Sequence, residues 1–231
     1  QISKSNLIKE NISSDRVIVI GSPLQEVFNF YKKKISKSKI LNTLKIKKNN
    51  YFLISFHREE NLENDENFKK FINLLFYLNS EFKVPVVVST HFRLKKKLKT
   101  LIKNDKLKNI IFMPPFSYTD YCKLQICSKI IFSDSGSLTE ETSIMNLRSI
   151  NIRDSQERHE GFEEGTVPLT GLNLNLIQSA IYCLLSGKIK MNSVKDYKIG
   201  ENISSKLVTI VISFIDQINK KNWFKKYFLV I

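Results

Sequence analysis

The side chains able to do chemistry gather in a few short segments. One is Ser133-Asp134-Ser135-Gly136-Ser137-Leu138-Thr139-Glu140-Glu141, a small hydroxyl-rich turn between an apolar run and a helical one. Backbone N–H groups at a helix start, aligned with the helix dipole, make an anion seat. The hydroxyls of Ser135 and Ser137, on either side of Gly136, add donors for a phosphate. Ser137 and Glu140 have the spacing of a capping box, which fixes where the helix begins. Glu141, one turn in, can accept hydrogen bonds from a sugar diol. An ordinary capped helix uses the same residues, so the segment alone leaves both readings open.

Residues 153–166 hold Arg153, Arg158 and His159 among the acids Asp154, Glu157, Glu160, Glu163 and Glu164. Charges that follow a buried strand must be paired, so part of this set is structural. The functional alternative is an arginine aimed at a pyrophosphate, whose oxygens match the planar guanidinium fork. In Ser55-Phe56-His57-Arg58-Glu59-Glu60-Asn61 a histidine stands at a strand end before an arginine. There it can act as acid or base near neutral pH or, protonated, bind phosphate. Ser89-Thr90-His91-Phe92-Arg93 repeats the placement. No metal is expected, because the histidines show neither H-x-H nor H-x-x-x-H spacing.

Elements must hold these segments in place. Short runs rich in Val, Ile or Phe at 16–20, 51–56, 84–90, 109–113, 129–133 and 148–152 read as strands. Helical periodicity puts Phe68, Phe71, Ile72, Leu75, Leu78 and Phe82 on one face of 65–82, and Leu94, Leu98, Leu101 and Ile102 on one face of 93–103. Helices also fit 23–34, 119–128, 138–146, 173–187 and 203–220. This alternation predicts an α/β fold, a doubly wound and mostly parallel sheet covered on both faces. Ligands of such sheets bind beyond the carboxyl ends of the strands. His57, His91 and His159 all fall in or just after those ends, with Arg58, Arg93, Arg153 and Arg158. Residues 32–50 read as a lysine-rich connector, and the aromatic, apolar stretch 223–231 is expected to dock on another surface.

The 231 residues, 42% hydrophobic and 26% charged, fit one folded domain rather than disorder. No stretch approaches the roughly 20 uncharged apolar residues of a membrane span. Cys122, Cys127 and Cys183 are odd in number and form no C-x-x-C pair. Neither a disulfide framework nor a cysteine zinc site is expected, and a reducing cytoplasm is. The net charge of +15 invites a nucleic-acid partner. Of the 37 basic residues, however, only Arg16, Arg58, Arg93, Arg148, Arg153 and Arg158 are arginine. The charge therefore reads as lysines spread over solvated faces, with no nucleic-acid partner expected. The opening Gln1-Ile2-Ser3-Lys4, without Met, is what a fragment, a processed chain or an incomplete gene model gives.

Taken together, these segments resemble the non-hydrolysing UDP-N-acetylglucosamine 2-epimerase family. The likeness runs in the family's order through Gly21-Ser22-Pro23-Leu24-Gln25-Glu26-Val27, His57-Arg58-Glu59-Glu60-Asn61 and Ser133-Asp134-Ser135-Gly136 with Glu140-Glu141. It continues through 153–165 to Gly171-Leu172 and covers most of 6–173. The first of these runs, with Ser89-Thr90-His91, looks most like the branch making UDP-N-acetyl-L-fucosamine. The resemblance implies a glycosyltransferase-B-type fold of two Rossmann-like halves, with this chain as the C-terminal, UDP-binding half. Residues 1–20 would be the end of a linker and a first strand, and 21–231 the UDP-binding domain. The family's N-terminal domain, with its early Arg-Pro-Glu phosphate loop, is missing from the sequence.

By the same resemblance Ser135, Gly136 and Ser137 meet the phosphates, Arg158 faces the pyrophosphate, and Glu141 binds the ribose hydroxyls. Tyr121 lies near uracil, and His57 is the catalytic residue that polarises the leaving UDP. Arg58, His91, Phe116 and Arg153 are further candidates. The implied reaction inverts C2 of a UDP-N-acetylhexosamine by expelling UDP and adding it back, in a cytoplasmic homodimer without cofactor or metal. The carboxylates that move the proton belong to the other half, so this chain alone is expected to bind UDP weakly and turn over nothing. His159 stands where the family has Pro after Glu-Arg, and Phe92 where it has Pro after His91; both change loop rigidity. Rival readings are a non-catalytic UDP-sugar-binding fragment and a glycosyltransferase of the same fold. The transferase is disfavoured because no two glutamates lie eight positions apart here.

Overall fold

The apolar runs between residues 51 and 151 form a five-stranded parallel sheet: β1 Phe52–Ser55, β2 Val86–Ser89, β3 Ile110–Met113, β4 Ile130–Ser133 and β5 Ser149–Asn151. In this computed structural model, which describes residues 2–90, 97–98, 109–155, 158–198 and 202–222, the strand order is β3-β2-β1-β4-β5. The register aligns Ser55 with both Ser89 and Ser133, so β1, β2 and β4 end level. The helices, in chain order, are α1 Ile2–Lys9, α2 Pro23–Lys37, α3 Ile40–Thr43, α4 Glu59–Glu63, α5 Asp65–Phe82, α6 Tyr118–Cys127, α7 Leu138–Met145, α8 His159–Glu163, α9 Leu174–Leu185 and α10 Ile203–Asn222.

The two-residue period of a strand divides the core into two layers. Phe52, Ile54, Val86, Val88, Phe132 and Ile150 pack with Phe71, Leu75 and Leu78 of α5 and Ile177, Ile181 and Leu184 of α9. Tyr51, Leu53, Val87 and Ile131 pack on the opposite side with Ile40, Leu124, Cys127, Leu138 and Leu147. Both faces are thus covered, which is why the strands read as unbroken apolar runs. Helix starts are set by side chains: Asn64 accepts from Glu66 and Asn67 N–H, Ser117 from Asp120 N–H, and Asn173 from Asn175 and Leu176 N–H.

Close packing divides the chain into two units, Tyr31–Val194 and the paired ends Gln1–Phe30 with Lys195–Ile231. The sheet lies wholly in the first. In the second, Ile18 and Ile20 line a cleft of about 450 Å³ with Leu207, Ile210, Phe214 and Ile218 of α10. Ser204 donates from its N–H and its hydroxyl to Glu26 Oε2, each at 2.8 Å.

The strand expected at 16–20 does not form. Ser14–Arg16 is a turn of 3-10 helix, and 17–20 run on without ladder partners among the described residues. The Val19 carbonyl accepts from Lys206 Nζ at 2.7 Å, and the Ile18 and Ile20 side chains go to the α10 cleft. An apolar run satisfied by a helix and a lysine needs no sheet. Of the helix expected at 93–103, only Lys97 and Leu98 lie among the described residues, both helical. His91 and the stretch 223–231 lie outside them. No helix among the described residues is long and apolar enough to cross a membrane.

Candidate functional site

The strand order reverses between β1 and β4: the chain leaves β1 toward β2 and leaves β4 toward β5 on the other side. Loops that diverge from adjacent strands open a crevice at the carboxyl ends, the usual ligand position in such sheets. His57 follows β1 and the Asp134–Ser137 turn follows β4, so both stand at this crevice.

Asp134 ties the two loops together. Its side chain is fully buried. The carboxylate accepts the His57 N–H at 3.1 and 3.2 Å, the Arg58 N–H at 2.9 Å and Asn61 Nδ2 at 3.3 Å. His57 Nδ1 lies 3.1 Å from Asp134 Oδ1, while 46% of the imidazole side chain stays exposed. Arg58 Nε donates to the Asp134 carbonyl at 3.2 Å. Burial alone would raise the Asp134 carboxyl, yet the His57 hydrogen bond and charge and the Arg58 and Asn61 donors bring it below the ordinary carboxylate range. The same hydrogen bond lifts the His57 imidazole above its ordinary value, against burial and Arg58, with Asp134 and Glu141 charges assisting.

Beside this clamp runs a chain of polar contacts at the start of α7. Ser135 and Ser137 hydroxyls lie 2.9 Å apart. The Ser137 hydroxyl donates to Glu141 Oε1 at 2.8 Å, and Gln125 Nε2 donates to Glu141 Oε2 at 2.5 Å. The capping box expected from Ser137 and Glu140 is not made: Ser137 is the cap residue without a side-chain capping bond. Its hydroxyl is committed to Glu141, and Glu140 turns to Arg158, whose Nη2 lies 2.8 Å from Glu140 Oε1. Gly136, half-buried in the turn, brings backbone between the two serines.

Tyr121, in the first turn of α6, packs on the Leu53–Ile131 layer. Burial, with the Glu141 charge, pushes its phenol well above the ordinary range, so it stays protonated. The structure therefore brings His57, Arg58, Ser135, Gly136, Ser137, Glu141 and Tyr121 to one crevice, with Arg158 joined through Glu140. Phe116 packs on the same core layer as Tyr121. Arg153 is buried at the end of β5, where its N–H donates to Asn151 Oδ1 at 3.1 Å. Asp134 is the site residue the sequence reading passed over; a carboxylate directly after four buried strand residues was the available signal. Among the described residues no group of three or more His, Cys, Asp or Glu is placed to hold a metal ion.

Residues 1–211 match the family model described as UDP-N-acetylglucosamine 2-epimerase. This chain belongs to the UDP-N-acetylglucosamine 2-epimerase family. Within the family, the UDP-N-acetylglucosamine 2-epimerase of Methanocaldococcus jannaschii is 30% identical over 211 residues, 88% of this chain and 57% of that protein. The solved UDP-N-acetylglucosamine 2-epimerase of Rickettsia bellii is 36% identical with a TM-score of 0.86, covering 97% of this chain and 61% of that one. The Methanocaldococcus jannaschii enzyme solved with UDP-GlcNAc and UDP superposes with a TM-score of 0.80 at 27% identity, covering 92% of this chain and 59% of that one. The chain thus spans somewhat more than half the length of these relatives. Over the part they share, these solved relatives have the fold found here, a parallel sheet with helices on both faces.

Proposed function

We propose that this chain supplies the UDP-binding half of an enzyme that inverts C2 of a UDP-N-acetylhexosamine. The observation that carries the reading is the crevice between β1 and β4, where His57 and the Ser135-Gly136-Ser137 turn meet at a helix start. A diphosphate seated there meets serine hydroxyls, the dipole of α7 and an imidazole, all of which favour negative charge. Arg158, with 45% of its side chain exposed, can turn its guanidinium to the same anion while Glu140 holds its other edge. Glu141 keeps acceptor capacity for a ribose diol, since a carboxylate offers about four lone-pair sites and two bonds are made among the described residues. Tyr121, packed on the core layer beside the crevice, offers a ring edge for the base.

In the reaction, a base takes the proton from C2 as the C1–oxygen bond to UDP breaks, leaving a glycal-like sugar and free UDP. UDP then adds back at C1 while C2 is reprotonated on its other face. Charge grows on the departing diphosphate, so the groups of this crevice stabilise the step that costs most. On this reading the base comes from outside the residues of this chain, and turnover needs that further part. Relatives solved with UDP-GlcNAc, from Methanocaldococcus jannaschii and Neisseria meningitidis, support the substrate class. A product assay distinguishes the branch that makes UDP-N-acetyl-L-fucosamine from the rest of the family.

Calorimetric titration of the chain with UDP tests the reading. Arg158→Ala and Glu141→Ala are each expected to weaken binding about ten- to hundredfold, the weight of a hydrogen bond to a charged group. Unchanged affinity in both variants would sink it.

A further inference from the structure

We propose that Asp134 is a positioning residue for His57: its buried carboxylate holds Nδ1–H and thereby presents Nε2 as the atom that meets the ligand. The claim rests on the function proposed above only for what Nε2 meets; the hold on Nδ1 stands on geometry alone.

Three observations carry it. An ionised carboxylate only accepts, so the 3.1 Å contact between Asp134 Oδ1 and His57 Nδ1 puts the proton on Nδ1. The other polar neighbour of that nitrogen, Ser55 Oγ, is more distant at 3.4 Å. Among the described residues nothing bonds Nε2, and almost half of the His57 side chain is exposed. The ring is therefore fixed on its inner edge and open on its outer one, as an orienting carboxylate leaves a working imidazole.

Asp134 is also anchored independently of the ring. It accepts from the main-chain N–H groups of His57 and Arg58 and from Asn61, so the carboxylate stays in place if the imidazole moves. Among the described residues the charged groups acting on His57 are Arg58 from its own loop, Asp134 from the turn after β4, and Glu141 from α7. Two of these three are acidic, and Asp134 is in contact. The imidazole is accordingly easier to protonate than usual. In that state Nε2 carries a proton and the ring a positive charge, both directed at a diphosphate whose negative charge grows as it leaves.

The test uses the 231-residue chain and the nitrogen-15 NMR spectrum of its imidazoles. With His57, His91 and His159 as the histidines of the chain, a His57→Gln spectrum assigns the signal. Above its midpoint the neutral His57 ring is expected as the Nδ1–H tautomer; an Nε2–H tautomer overturns the proposal. Asp134→Asn keeps an acceptor for the loop N–H groups while removing the charge. It is expected to lower the His57 midpoint by about one unit or more; an unchanged midpoint in a folded variant overturns the proposal. If that variant does not fold, the wild-type tautomer still decides. UDP affinity followed against pH supplies the functional arm: it should fall as pH rises through the His57 midpoint, and the break should move to lower pH in Asp134→Asn. A chain that binds no UDP at any pH defeats the function proposed above and leaves the tautomer result to judge Asp134.

Discussion

The sheet unit, residues 31–194, and the paired ends, 1–30 with 195–231, treat apolar side chains in opposite ways. In the first, Phe52, Leu53, Ile54, Val86, Val87, Val88 and Phe132 are fully buried. In the second, α10 has nine apolar residues among its twenty yet leaves Leu207, Val208, Val211, Ile212, Ile215 and Ile218 exposed, Ile212 at 70%, and Phe30 reaches 76%. The spacing of Val208, Val211, Ile212 and Ile215 is that of one helical stripe, apart from the side that lines the Ile18 and Ile20 cleft. What differs is closure. The strands have a helix layer on each face, whereas among the described residues of its own unit α10 is covered on the side of Ile18 and Ile20. Stability and chemistry should then reside in 31–194, and the ends should tolerate change.

The strongest way to break that contrast is to cut into both regions alike. Phe132→Ala is expected to cost about 3–5 kcal/mol in denaturant unfolding, as for other buried aromatics. Ile212→Ser should stay within about 0.5 kcal/mol; equal costs would refute the contrast. A smaller effect is expected at Gly171, whose φ of +56° and 2.7 Å approach of Asp154 Oδ1 to an added Cβ oppose a side chain. Gly171→Ala should lower stability by about 1–2 kcal/mol, measured by the same unfolding.

The pH response is smaller still and its sign is fixed. Asp134 lies below its ordinary range, so its contribution is present above the usual carboxylate value and is lost as pH falls through the lowered folded value. His57 lies above its ordinary range, so its contribution is complete below about pH 6.5 and is lost as pH rises through the raised folded value. Thermal unfolding between acid and mild alkali should show a plateau with both flanks weakened by Asp134→Asn. Amide exchange should place the change at β1 and β4 and leave α10 unmoved. The least effect on stability is expected from Val211→Ser with Ile212→Ser. That pair should mainly reduce binding of a hydrophobic dye, and an unfolding loss above about 0.5 kcal/mol would show α10 better covered than it is here.

Sequence reading located each strand of the sheet, because a parallel strand buried on both faces must be an apolar run. It set 65–82 from end to end from six apolar residues at helical spacing, and the structure adds the Asn64 cap that fixes the start. It failed at 16–20, where the same apolar signal is satisfied by α10 rather than by a ladder; periodicity does not name the partner. At the site, residue types pointed to Ser135, Ser137, Glu141, His57 and Arg158, but pairings did not. Ser137 chose Glu141 over the α7 cap, and Glu140 chose Arg158, because rotamers and a loop distant in sequence decide between adjacent acids. Asp134 was the least legible of all, since its meaning lies in contacts 76 and 77 positions away.

That separation has a bearing on how the molecule comes to be. The pairing of β1 with β4 joins Phe52 to Ile130 and Ser55 to Ser133 across everything that lies between. Closing so long a loop is entropically slow, and contacts of this range tend to arrive late in folding. The imidazole clamp sits just beyond that pairing, Asp134 one residue past Ser133 and His57 two past Ser55. A chain that has zipped β1 to β2 but not to β4 owns a histidine without its carboxylate. The titration of a single imidazole would therefore serve as a clock for the last seam of the sheet, and an incompletely folded chain would hold no half-working site.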